Sequence, residues 1–233
     1  MPVSRTPWGE FPNLIVHATP TALQGHDAYA AARAGDFRAA RAVAATCTRP
    51  DVVPWRTDFI APVLRLDGPE AWNPLALALA ERLALLTGAK VVTSITQTSR
   101  PRPASPDVIE YLLQQPVFAG AVPRGTYLLV DEGVALGSTL ANLRGYLETH
   151  GGKVAAASTF TARLFAGRLR PEASALASLQ RRFGHELDLL PEKLGFSCEN
   201  LTHKEACFLQ GLASLQPLRD PMAATHRVVR AAG

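Results

Sequence analysis

The segment YLLVDEGVALGSTLANLRGYLETHGGK, residues 127–153, decides how the chain is read. Tyr127, Leu128, Leu129 and Val130 form a short apolar run, with the length and composition of a strand buried on both faces of a parallel sheet. Asp131 and Glu132 follow at its end, and a loop of small residues runs from Gly133 to Gly137. Ser138 and Thr139 open a segment with Leu140, Leu143 and Leu147 at helical spacing, which Gly151 and Gly152 stop. Such a loop turns successive backbone N–H groups and a helix N-terminus toward one place, with a hydroxyl from Ser138 or Thr139 beside them. That arrangement suits an anion, and a phosphate best. The two carboxylates repel phosphate, so they call for another partner, either the vicinal hydroxyls of a sugar or a metal. Ribose plus phosphate satisfies both halves. A βα unit with an acidic strand end is common in open sheets, but the acidic pair, Gly-x-Thr and helix together favour the sugar-phosphate site.

Upstream the same alternation continues. Residues 58–64 read as a strand, in which Pro62 counts against a central position unless it marks the strand's end. Residues 65–73 are a turn-rich loop, Pro74 stands where a first helical position tolerates it, and Leu75, Leu79, Leu83 and Leu86 mark a helix face that Gly88 ends. An Asn73-capped helix start is a second place for an anion, while Asp67-Gly68 reads equally well as a tight turn. Residues 90–95 are the next strand. Residues 96–106 are polar and proline-rich, with Arg100 and Arg102 and no apolar anchor, the composition of a mobile loop. A short helix over 107–115 and a strand over 154–160 complete the core. The fold expected is α/β, a parallel sheet flanked by helices and built by right-handed crossovers, with helical N- and C-terminal additions.

Residues 1–54 read as a proline-rich arm and a helical hood, with Gly35-Asp36 breaking the helical stretch 21–46 into two helices. His17, His26 and Asp27 fall there and are assigned surface or capping roles. The core covers 55–168, a helical region 169–216 and a flexible tail 217–233. Helices are expected over 173–183, 187–194 and 203–215. His203 and Cys207 share a helix face near Cys198, but a fourth ligand is missing and packing is favoured over zinc. With 47% hydrophobic and 19% charged residues the balance is that of a globular protein, and no apolar run approaches a membrane span. Three cysteines and an N-terminus without a signal pattern point to a reduced, cytoplasmic protein. The net charge of +4 comes from Lys and Arg scattered singly but for Arg181-Arg182; small polyanions account for it as well as nucleic acid does, and nucleic acid is the less expected partner. Neither a serine-nucleophile elbow nor a Gly-Lys-Ser/Thr phosphate loop is present.

The motif at residues 127–139 resembles the ribose-phosphate-binding motif of the type I phosphoribosyltransferases, and the order of elements over roughly residues 55–165 resembles that family's core. The resemblance implies that Asp131 and Glu132 hold the ribose hydroxyls of phosphoribosyl pyrophosphate and that Ala135, Leu136, Gly137, Ser138 and Thr139 wrap its 5-phosphate. It implies a pyrophosphate loop at Asp67, Gly68 and Asn73, and a closing loop whose Arg100 and Arg102 reach the departing pyrophosphate. Residues 161–165 would meet the acceptor base. The activity implied is Mg²⁺-dependent phosphoribosyl transfer to or from a nucleobase or nucleotide, with pyrophosphate as co-product and a homodimer among the expected assemblies. Gly133 and Ala135 depart from the family pattern, where a β-branched residue and Thr or Asp are usual. They keep open the alternative of a non-catalytic ribose-phosphate- or nucleotide-binding regulatory module.

Overall fold

A computed structural model describes residues 5–52, 57–65, 74–99, 108–164 and 166–219. Five parallel strands form one sheet: β1 (Ile15–Val16), β2 (Phe59–Pro62), β3 (Lys90–Val91), β6 (Thr126–Val134) and β7 (Lys153–Ala162), in the order β1-β7-β6-β2-β3. β4 (Thr96–Gln97) and β5 (Phe118–Ala119) make a separate antiparallel ribbon.

Alternation along β6 sorts the core. Leu128 and Val130 face one side and pack with Ile60, Ala156 and Phe160 against α4 (Pro74–Thr87) and the N-terminal helices α1 (Pro20–Gln24), α2 (Tyr29–Arg33) and α3 (Phe37–Cys47). Tyr127 and Leu129 face the other side, where α6 (Ser138–Thr149) and the arm residues Trp8, Phe11 and Leu14 cover them. From β2 the chain steps to β3 on one flank; from β6 it steps to β7 on the opposite flank. Right-handed crossovers in opposite directions put α4 and α6 on opposite faces and open a crevice at the carboxyl ends of β2 and β6. A third apolar cluster joins α5 (Val108–Leu113) to α7 (Ala173–Phe183), α8 (Leu189–Leu194), α9 (His203–Gly211) and α10 (Gln216–Arg219).

Several expectations are redrawn. β6 does not end at Val130: its ladder with β7 continues to Val134 opposite Ala162, so the acidic pair lies inside the strand. β3 is shorter than residues 90–95, because after Val92 donates to Ile60 O the chain leaves the sheet and Thr96-Gln97 pairs with β5. That departure explains how Pro62 sits between two strands. Its side of β2 faces β3, whose last ladder bond is to Ile60, so no partner is left for the N–H that proline lacks. The stretch 21–46 makes three short helices rather than two, and Asp36 caps the third by accepting from Arg38 and Ala39 N–H. α9 stops at Gly211 rather than 215, and α10 carries the buried Leu218 into the stretch expected as tail. His17 is buried rather than on the surface. Its Nδ1 accepts from Arg49 N–H and its Nε2 lies 2.8 Å from Ser158 Oγ. Burial first, then the Arg49 charge, lowers its pKa to about 4. Among the described residues no helix is long and apolar enough to cross a membrane.

Candidate functional site

The crevice at the β2/β6 switch point gathers the residues that carry chemistry. Asp131 is almost fully buried, and its Oδ1 accepts from Glu132 N–H at 2.8 Å. Burial pushes its pKa up to about 6, with the neighbouring Glu132 charge adding to the rise, while the Arg65 charge and that N–H bond oppose it. Arg65, three residues beyond β2, is drawn toward this edge by its bridge to Gln97. Its Nε is buried and has no hydrogen-bond partner among the described residues, an unsatisfied donor whose charge acts on the buried Asp131 carboxyl.

Glu132 points the other way along the strand and is already engaged. Arg33 Nη1 from α2 lies 2.9 and 2.8 Å from its two oxygens, and Tyr29 donates weakly at 3.5 Å. The carboxylate is the more buried partner, at 13% side-chain exposure against 57% for the arginine. A ribose diol reaching Glu132 must therefore displace Arg33 from the solvent side.

The cradle after β6 consists of Ala135, Leu136 and Gly137, and the structure assigns its two hydroxyls different fates. Ser138 is buried and donates to Glu205 Oε1 at 2.5 Å, away from any ligand. Thr139 is half-buried, and its side chain takes no hydrogen bond among the described residues. Gly137 has φ +88°, and a Cβ there would lie 2.8 Å from Leu169 Cδ2 and 3.2 Å from Thr202 Cγ2. The positive φ favours glycine, and any side chain would also have to push the Leu169 and Thr202 methyl groups aside. No side chain caps α6, so its first N–H groups are open to an anion.

Asp67, Gly68, Asn73, Arg100 and Arg102 lie outside the described residues. Sequence reasoning missed Arg65, whose place directly after β2 in the turn-rich loop was the available signal. It also missed Arg33 and Tyr29, which carried none. Cys207 Sγ lies 3.6 Å from His203 Nε2, and His203 Nδ1 faces Glu172 N–H at 3.4 Å. Magnesium fits poorly as a protein-held ion. Glu132 is forked to an arginine and Asp131 has a raised pKa, so the chain offers no set of ionised oxygens converging on one point among the described residues.

No family model matches the chain. It is 32% identical over 231 residues to Protein TraN of Escherichia coli, covering 95% of this chain and 51% of that protein, so it spans about half the length of that curated relative. Among solved structures, it is similar to a purine phosphoribosyltransferase from Pyrococcus horikoshii Ot3 (15% identity, 54% of this chain and 80% of that one, TM-score 0.32). It is also similar to Leishmania donovani UMP synthase (15%, 76% and 33%, TM-score 0.34). A third, from Thermus thermophilus, gives 13%, 56% and 85% with TM-score 0.30. Overlaps this slight carry no argument about activity; the fold rests on the strand order and register above.

Proposed function

We propose that the β2/β6 crevice binds a 5-phosphorylated ribose, and that the chain is a phosphoribosyltransferase acting on phosphoribosyl pyrophosphate. The observation that carries this reading is a buried carboxyl with a pKa near 6 beside an arginine with an unpartnered Nε, at the switch point one short loop from an uncapped helix start. Burial and a specific charge partner at a ligand-binding edge mark functional groups more often than structural ones. In this reading the cradle backbone and Thr139 take the 5-phosphate, Asp131 accepts from a ribose hydroxyl, and Arg65 with Arg100 and Arg102 faces the pyrophosphate. The bond from the anomeric carbon to pyrophosphate oxygen breaks, and a bond from that carbon to a base nitrogen forms. The chain contributes placement and charge stabilisation. Magnesium, if required, would arrive with the diphosphate rather than on protein ligands and would supply charge neutralisation there.

A second reading, a regulatory module that binds the nucleotide without turning it over, is favoured by one observation. Glu132, the carboxylate this reading would give to the ribose hydroxyls, is already paired with Arg33. Calorimetry with phosphoribosyl pyrophosphate, with and without Mg²⁺, set beside pyrophosphate release over a panel of bases, separates the two. Turnover that falls far more than affinity in Arg100→Ala/Arg102→Ala supports the transferase. Tight binding with no pyrophosphate release from any base supports the module, and no binding of any 5-phosphorylated ribose overturns both.

A further inference from the structure

The cradle is held from behind by a buried cluster that the reading above does not use. Arg5, from the N-terminal arm, spends all five guanidinium N–H groups. Nη1 and Nη2 fork onto Glu205 at 2.7 and 2.9 Å, Nη1 also reaches Asn200 O at 3.1 Å, Nη2 reaches Gln115 Oε1 at 2.8 Å, and Nε reaches Asn142 Oδ1 at 2.6 Å. Glu205 is equally saturated, accepting two bonds from Arg5, one from Ser138 Oγ at 2.5 Å and one from Thr202 N–H at 2.7 Å. Side-chain exposure is 1% for Arg5 and 0% for Glu205. Burial alone would raise the Glu205 pKa, but the Arg5 charge and the hydrogen bonds from Arg5, Ser138 and Thr202 outweigh it and hold the group below its ordinary value.

This cluster touches the cradle at three consecutive residues. Thr202 Oγ donates to Leu136 O at 2.6 Å, Thr202 and Leu169 pack against the bare Cα of Gly137, and Glu205 holds Ser138. A trans peptide sets C=O and N–H on opposite sides, so tying Leu136 O to α9 turns the Gly137 N–H away from α9. We propose that Glu205, through Ser138 and Thr202 and anchored by Arg5, is a positioning residue that pre-sets the cradle N–H groups for phosphate. The inference rests on the sugar-phosphate reading and deepens it: the anion site depends on a clamp built from the two ends of the described chain, outside the βα unit that forms it. A cradle pre-set in this way binds anions without ordering cost, and one cut loose must be ordered on binding.

Ser138→Ala cuts the tie at the cradle while leaving the Arg5–Glu205 fork in place, and Ser138→Thr keeps the hydroxyl. The full chain is titrated with ribose 5-phosphate by calorimetry, its melting temperature is measured, and amide exchange is followed at residues 136–140. The expected result is a roughly tenfold loss of affinity in Ser138→Ala, the scale of one charge-assisted hydrogen bond. Faster exchange confined to the cradle should accompany it, with wild-type affinity in Ser138→Thr. Glu205→Gln, which weakens both ties, should lose more affinity. Wild-type affinity in Ser138→Ala overturns the inference and leaves the sugar-phosphate reading standing. So does a loss that merely follows melting temperature across the three variants. A wild-type protein that does not bind ribose 5-phosphate overturns the reading itself.

Discussion

Two arginine–glutamate pairs bear on the segment that carries the cradle, and they differ in burial and in geometry: Arg5 presents two nitrogens to Glu205, whereas Arg33 reaches both Glu132 oxygens with Nη1 alone. Arg5–Glu205 lies behind the cradle, fully buried, with every donor and acceptor assigned. Arg33–Glu132 ties α2 to β6, with its arginine half in water. A buried fork cannot exchange partners without leaving a charge stranded in low dielectric, whereas an exposed one trades its carboxylate for solvent at little cost. The same chemistry thus makes a fixture of the one pair and an exchangeable cover for Glu132 of the other.

Breaking the buried fork should have the largest effect. Arg5→Ala strands Glu205 and should destabilise the protein by about 3–5 kcal/mol in denaturant unfolding. A loss under about 1 kcal/mol would place the pair in the exposed class and dissolve the contrast.

Asp131, between the two forks, gives the next effect, with the opposite sign. Its folded-state pKa of about 6 lies above the ordinary carboxylate value, so between roughly pH 4 and 6 the native protein holds a proton the unfolded chain has lost. Stability from this group is full below that window and gone above it. His17 does the reverse: its pKa of about 4 means that stability is full above about pH 6.5 and falls as the pH drops toward 4. Asp131→Asn should therefore gain about 2–3 kcal/mol at pH 7 while losing ligand affinity. With the opposing slope removed, it should also lose stability more steeply than wild type from pH 6.5 to 4. Urea unfolding across that range reads both effects, and a variant no more stable than wild type at pH 7 would show that Asp131 is not held at cost.

Gly137→Ala asks whether the fixture reaches the cradle. Left-handed backbone costs a non-glycine residue about 1–2 kcal/mol, and the added Cβ meets Leu169 and Thr202. Ribose 5-phosphate binding should be lost while the helices stay folded by circular dichroism. Arg33→Ala should be the mildest: stability should change by less than about 1 kcal/mol, and ribose 5-phosphate affinity should rise, because the competitor for Glu132 is gone. Weaker binding would recast Arg33 as a ligand contact.

Much of the fold was legible because its signals are local. The Leu140, Leu143 and Leu147 spacing, the Asp36 cap, the Pro74 helix start and helix 173–183 each lie within a few residues of what they determine. Strand ends were less legible: β6 runs on past Val130 to Val134 because β7 offers a partner as far as Ala162, which no local pattern encodes. Within the site, local order along the chain was enough to place an acidic pair, a small-residue loop and a helix start in a row. Their individual partners come from packing between distant segments. Ser138 and Thr139 are equivalent in sequence, yet Ser138 is buried on Glu205 while the half-buried Thr139 hydroxyl takes no partner among the described residues. Arg5 and Glu205 lie 200 positions apart in the chain, and Arg33 and Glu132 are separated by 99. Which arginine finds which carboxylate, and whether water keeps access to the pair, depends on how the helices pack over the sheet. Desolvation, which separates fixture from cover, exists only after that packing.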